Sequence, residues 1–154
     1  MAGMHANDAN AIKTACAWVL VAAWCAFIFF ASAHTGADLD AGDDLLSCIR
    51  LALDAWQTAA FGPDADVIST AAHFLEYLVL GVLLFLALSR HLERRRTALA
   101  VAIVLASIYG ITDEFHQLFV EGRVCDPLDW LTDTAGAALG AALASTVRRT
   151  FGSA

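Results

Sequence analysis

Between Tyr109 and Gly140 the chain reads YGITDEFHQLFVEGRVCDPLDWLTDTAGAALG, which crowds acids, a histidine, an arginine and glycines into a few turns of chain. Asp113, Glu114, Gln117, Arg123, Asp126, Asp129 and Asp133 offer carboxylates that bind protons or cations, an amide, and a guanidinium shaped for anionic groups. Upstream, His73 stands one helical turn from Glu76 and Tyr77. An imidazole among carboxylates is equipped for general acid–base work, for divalent metal ligation or for a proton relay.

Hydropathy decides which elements carry these groups. The chain of 154 residues is 59% hydrophobic and 16% charged, with a mean hydropathy of +0.64, too apolar for a soluble domain of this size. Four stretches, 15–33, 69–88, 97–119 and 128–147, approach the roughly 20 apolar residues that cross a hydrocarbon core. The expectation is one all-α domain, a four-helix transmembrane bundle. In such a setting intramembrane charge is costly unless it finds a partner or water, so the acids mark function by default.

Of the nine basic residues, Lys13, Arg90, Arg94, Arg95, Arg96, Arg148 and Arg149 fall on one side of these spans. The positive-inside rule makes that side cytoplasmic, with both termini in and the 34–68 and 120–127 connections out. The net charge of -7 gives no sign of nucleic-acid binding, and the Arg94 to Arg96 run is a topology anchor. Lys13, the apolar run and Ala31-Ser32-Ala33 also resemble a signal peptide with its cleavage site, but the run is long and aromatic, which favours a retained helix.

The first outer loop has its own pattern. Leu45, Leu46, Ile49, Leu53 and Trp56 recur at helical spacing, with Asp43, Asp44, Arg50 and Asp54 mostly opposite, as in a short amphipathic helix lying on a membrane or on its own protein. Gly62-Pro63 ends it. Cys16, Cys25, Cys48 and Cys125 lack metal-ligand spacing; Cys48 and Cys125 both fall in outer loops, where a disulfide is one alternative to two free thiols.

At 100° per residue, Ser69, Thr70, His73, Glu76, Tyr77 and Gly81 share one face, and Tyr109, Gly110, Asp113, His116 and Gln117 share another, with Glu114 at its edge. Depth brings the two faces together. His73 and Glu76 lie about 6 to 11 Å below the outer boundary, and Asp113 comes within about 6 Å of it from the other direction, in a core about 30 Å thick. The expected result is a polar pocket opening outward.

Bland roles compete for some of these residues. Asp126 followed by Pro127 and Asp129 has the form of a helix start, which capping alone can explain. Gly136 and Gly140, continued by Ala144, form a small-residue seam for close helix contact. Asp113 and Glu114 sit near a helix C-terminus, where the macrodipole disfavours negative charge, so they call for a cation: Arg123, a charged His116, or a bound metal or amine.

HFLEYLVLG at 73–81 matches a His-Phe-x-x-Tyr-x-x-x-Gly pattern, and DEFHQLFVEGR with DPLDWLTDTAGAALG matches an Asp-Glu-x-x-Gln, Gly-Arg, Asp-x-x-x-x-x-x-Gly run. In these blocks, and more weakly around 28–32, the chain resembles the VanZ-like family of small bacterial membrane proteins. It departs from the family at Ser69-Thr70, where many relatives carry a Lys, and at Asp133, where many carry Asn. The family takes its name from a protein associated with resistance to the glycopeptide teicoplanin. That likeness implies a multi-pass protein of the bacterial cytoplasmic membrane and a cell-envelope context, not a reaction.

Three functions fit the residues. The first is an outward pocket that binds, or binds and helps modify, a lipid-linked or cell-wall-related ligand, with Arg123 as its anion contact. The second is an embedded enzyme in which His73, Glu76, Asp113 and Glu114 hold a divalent metal that activates water, although no HExxH-type signature accompanies them. The third, a proton-coupled transporter, meets apolar inner segments such as VLLFLAL and GAALGAALA that offer no path.

Overall fold

A computed structural model describes residues 2–33, 45–62, 67–120 and 125–151. Among these the chain is all-helical, with α1 (Ala2–Ser32), α2 (Leu45–Phe61), α3 (Val67–Leu88), α4 (Arg95–Gln117) and α5 (Pro127–Phe151). Three helical segments are long and apolar enough to cross a membrane: Asp8–Ser32 of α1, Val67–Leu88 and Arg95–Gln117. The helix expected over 128–147 forms as the 25-residue α5, but its acids and glycines keep it out of that class. Large apolar side chains such as Phe30, Ile108, Phe115 and Leu143 are exposed along α1, α4 and α5. In water such faces would be a liability, whereas in lipid they need no cover.

Successive long helices run in alternating directions. At one end, Trp18 donates to His91 (3.0 Å), Arg95 to the Ser145 carbonyl (3.1 Å) and Arg148 to the Ser89 carbonyl (3.1 Å). At the other, Ser32 meets Asp113 and His73 meets Asp133. Arg95 and Arg148 thus lie at one end of the bundle and the polar cluster at the other.

Small residues set how closely the helices approach. Among the described helices the contact of α3 with α5 is the most extensive, and a Cβ at Gly136, Gly140 or Gly81 would run into the backbone of Phe74, Leu78 or Ala137 respectively. Gly81 extends the expected seam from the partner helix. On α4, Ala98, Ala102, Ala106 and Gly110 recur every four residues and are buried, so a narrow stripe faces inward before giving way to Asp113 and Gln117.

The amphipathic helix expected in the first loop is α2, longer than its pattern suggested. It exposes Ile49, Leu51, Leu53, Trp56 and Phe61, and Gly62, at φ +100°, ends it in a conformation that favours glycine. Gln57 Oε1 accepts the Ile68 N–H (2.8 Å), tying α2 to the start of α3.

Candidate functional site

Four helices bring polar groups to one place. Asp133 of α5 is fully buried, and its Oδ1 lies 3.6 Å from His73 Nδ1 of α3. Asp113 of α4 is also buried and accepts a 2.8 Å hydrogen bond from the Ser32 hydroxyl at the end of α1. One ligand-type atom from each of His73, Asp113 and Asp133 lies within 4.8 Å of the others.

Local sequence explains the convergence. Asp133 precedes Gly136 by three residues and Gly140 by seven, which places all three on one helical face. The contact that closes α5 on α3 therefore turns Asp133 towards His73. Gly110 opens the third side, because a Cβ there would stand 3.2 Å from Trp130 Cδ1 and 3.5 Å from both Asp133 Oδ2 and Tyr77 Cε1. Tyr77 is fully buried, and its hydroxyl has no hydrogen-bond partner among the described residues.

A belt of longer contacts fixes the helices around this centre. Trp24 Nε1 donates to the Glu76 carbonyl (2.9 Å), and the Tyr109 hydroxyl donates to the Cys25 carbonyl (2.6 Å). Trp130 Nε1 lies 3.1 Å from both the Ser107 carbonyl and its hydroxyl, which also accepts from Thr134 (3.0 Å). Phe29 stacks on His116, with ring centroids 4.2 Å apart.

The remaining expected residues divide by role. Asp126 Oδ1 accepts the Leu128 N–H at 2.8 Å, so Asp126 is the N-cap of α5 with Pro127 as its first residue. Glu114 is buried and accepts the Asp126 N–H (2.9 Å), which couples the end of α4 to the start of α5. Its carboxylate also takes a hydrogen bond from Cys125. Burial first, and then the neighbouring Glu114 carboxylate, push the Cys125 thiol up from its ordinary value. Gln117 is buried beside the cluster on the last turn of α4, whereas Glu76 and Asp129 are half-buried at its margin. Arg123 lies outside the described residues. Cys48 and Cys125 are free thiols.

The close three-ligand grouping thus differs from the metal set expected from sequence: Asp133 joins His73 and Asp113, while Glu76 stays at the edge and Glu114 is engaged with the α5 N-terminus. Ser32, Trp24, Phe29 and Trp130 were not anticipated. For Ser32 a signal existed, since it is the polar residue that ends an apolar run at the depth expected of Asp113.

Beside the cluster, an open cleft of about 700 Å³ is lined by Val67, Thr70, Ala71, Phe74, Leu75 and Thr132. It follows the side of α3 one turn from His73, and Thr132 adjoins Asp133 in sequence. A mostly apolar cleft beside buried acids suits a molecule with a hydrocarbon part and a polar part.

The VanZ/LLP1 family model matches residues 17–148, which include every part of this arrangement from Trp24 to the α5 seam. The chain belongs to the VanZ/LLP1 family. Its apolar helices fit a membrane protein of that family. No curated protein and no solved structure matches the chain.

Proposed function

We propose that this VanZ-family chain is a multi-pass protein of the bacterial cytoplasmic membrane whose polar site binds a lipid-linked cell-envelope ligand and contributes to tolerance of teicoplanin-type glycopeptides. The observation that carries the proposal is the convergence of Ser32, His73, Asp113 and Asp133 from four helices at the end of the bundle remote from Arg95 and Arg148. By the positive-inside rule that end faces outward, where envelope precursors are displayed. In this proposal α5 is a fourth span, its acids and glycines turned towards the other helices. The lipid part of the ligand lies in the cleft along α3, and Arg123 provides the anion contact.

Retention of α1 belongs to the same proposal, because Ile28 is fully buried and Ser32 hydrogen-bonds Asp113, so cleavage near residue 33 would remove one wall of the site. The test is teicoplanin tolerance in a host that depends on the protein. Arg123→Ala and Asp113→Ala should each abolish tolerance at unchanged membrane levels. Wild-type tolerance in both variants would overturn the proposal.

A further inference from the structure

We infer that His73, Asp113 and Asp133 form a binding site for one divalent transition-metal cation, a cofactor for the site proposed above and therefore resting on that reading for its purpose. One imidazole nitrogen and two carboxylate oxygens, mutually within 4.8 Å, come from three different helices. Two ligand atoms bound tetrahedrally at about 2.1 Å stand about 3.4 Å apart. The 3.6 Å between His73 Nδ1 and Asp133 Oδ1 is already close to that spacing. With all three atoms within 4.8 Å, Asp113 needs an approach of at most about 1.4 Å, within the reach of a carboxylate rotating about its side-chain bonds.

Charge and hydrogen bonding point the same way. Asp133 has no exposed surface, and neither of its carboxylate oxygens has a hydrogen-bond partner among the described residues. Its 3.6 Å approach to His73 leaves Oδ2 facing the Tyr77 ring and the Gly110 gap. The buried Tyr77 hydroxyl likewise has no described partner. A dication would satisfy the buried Asp133 carboxylate, whose burial without a hydrogen bond is otherwise costly.

Ser32 then acquires a positioning role. Its hydroxyl donates to Asp113 Oδ2 at 2.8 Å, orienting the carboxylate beside His73 and Asp133. A mixed nitrogen and oxygen set favours zinc, manganese or cobalt over magnesium or calcium, which prefer oxygen alone. With three protein ligands the fourth position is open, as in catalytic rather than structural zinc sites. It is available to water or to an anionic oxygen of a ligand.

Cobalt(II) titration of the untagged full chain in detergent micelles provides the test, because bound cobalt in a low-coordinate site absorbs visible light. The wild type should saturate at about one equivalent, with zinc displacing the signal and magnesium leaving it. Asp133→Asn and His73→Gln should lose the saturable signal while keeping the helical circular dichroism of the wild type. Ser32→Ala should weaken binding about tenfold and Ser32→Thr restore it. Glu76→Gln, outside the ligand set, should bind as the wild type does. No saturable signal in the wild type, or an unchanged one in Asp133→Asn, would overturn the metal site. Those outcomes leave the functional reading to the tolerance assay, which fails separately if Asp113 and Arg123 prove dispensable.

Discussion

At the scale of single residues, the acids of this chain are sorted by what their oxygens touch. Asp126 holds a helix start, Glu114 holds Asp126, and Asp113 and Asp133 remain directed into the centre of the bundle. Asp126→Ala should therefore cost about 1 kcal/mol of stability through the lost cap, and Asp126→Ser should recover most of it, read as the thermal midpoint in detergent. Cys125 supplies a test with a defined sign in pH. With its thiol shifted upward by burial and by Glu114, alkylation at pH 7 should be slow and should accelerate only at pH values above those sufficient for an ordinary thiol. Glu114→Gln removes the charge contribution, so the alkylation rate at pH 7 should rise; an unchanged rate would mean that Glu114 does not act on the thiol.

At the scale of elements, rotation of the helices about their axes was partly legible in the sequence. Counting 100° per residue put His73 with Tyr77 and Gly81, and Asp113 with Gly110 and Gln117, and these residues are buried together on α3 and α4. The same count placed Glu76 on the polar arc, yet it is only half-buried, because an arc of about 140° is wider than the strip that α5 covers. Which acid reaches His73 was harder to see, since it depends on how α5 is rotated against α3. Gly136 and Gly140 decide that rotation through backbone contact with Phe74 and Leu78, and Asp133 lies on their face. The role of Ser32 was hidden for a similar reason: its partner lies 81 residues away, on a helix whose distance from α1 hydropathy does not specify. Gly140→Val should push α5 off α3 and lower stability by about 1 to 3 kcal/mol or more, measured by thermal unfolding in detergent. Ala142→Val, on an exposed position of the same helix, should change stability by less than about 0.5 kcal/mol.

At the scale of the whole molecule, the division of charge between the two ends of the bundle connects fold to function. Residues at the basic end brace helices through backbone carbonyls, as Arg95 and Arg148 do, while the other end buries the acids. If that asymmetry sets orientation, a reporter fused after residue 151 should be active only as a cytoplasmic reporter, and one placed in the 34–44 segment only as an external one. Family membership and three long apolar helices establish the setting, and the converging side chains supply the functional proposal. Its central claim is that the His73, Asp113 and Asp133 cluster, rather than the exposed acids, makes the protein work. The most direct measurement is teicoplanin tolerance in a dependent host carrying Asp133→Asn beside Asp126→Ser, with membrane levels matched by immunoblot. Tolerance should fall to that of the host without the protein for Asp133→Asn and stay near wild type for Asp126→Ser. Full tolerance in Asp133→Asn would contradict the claim.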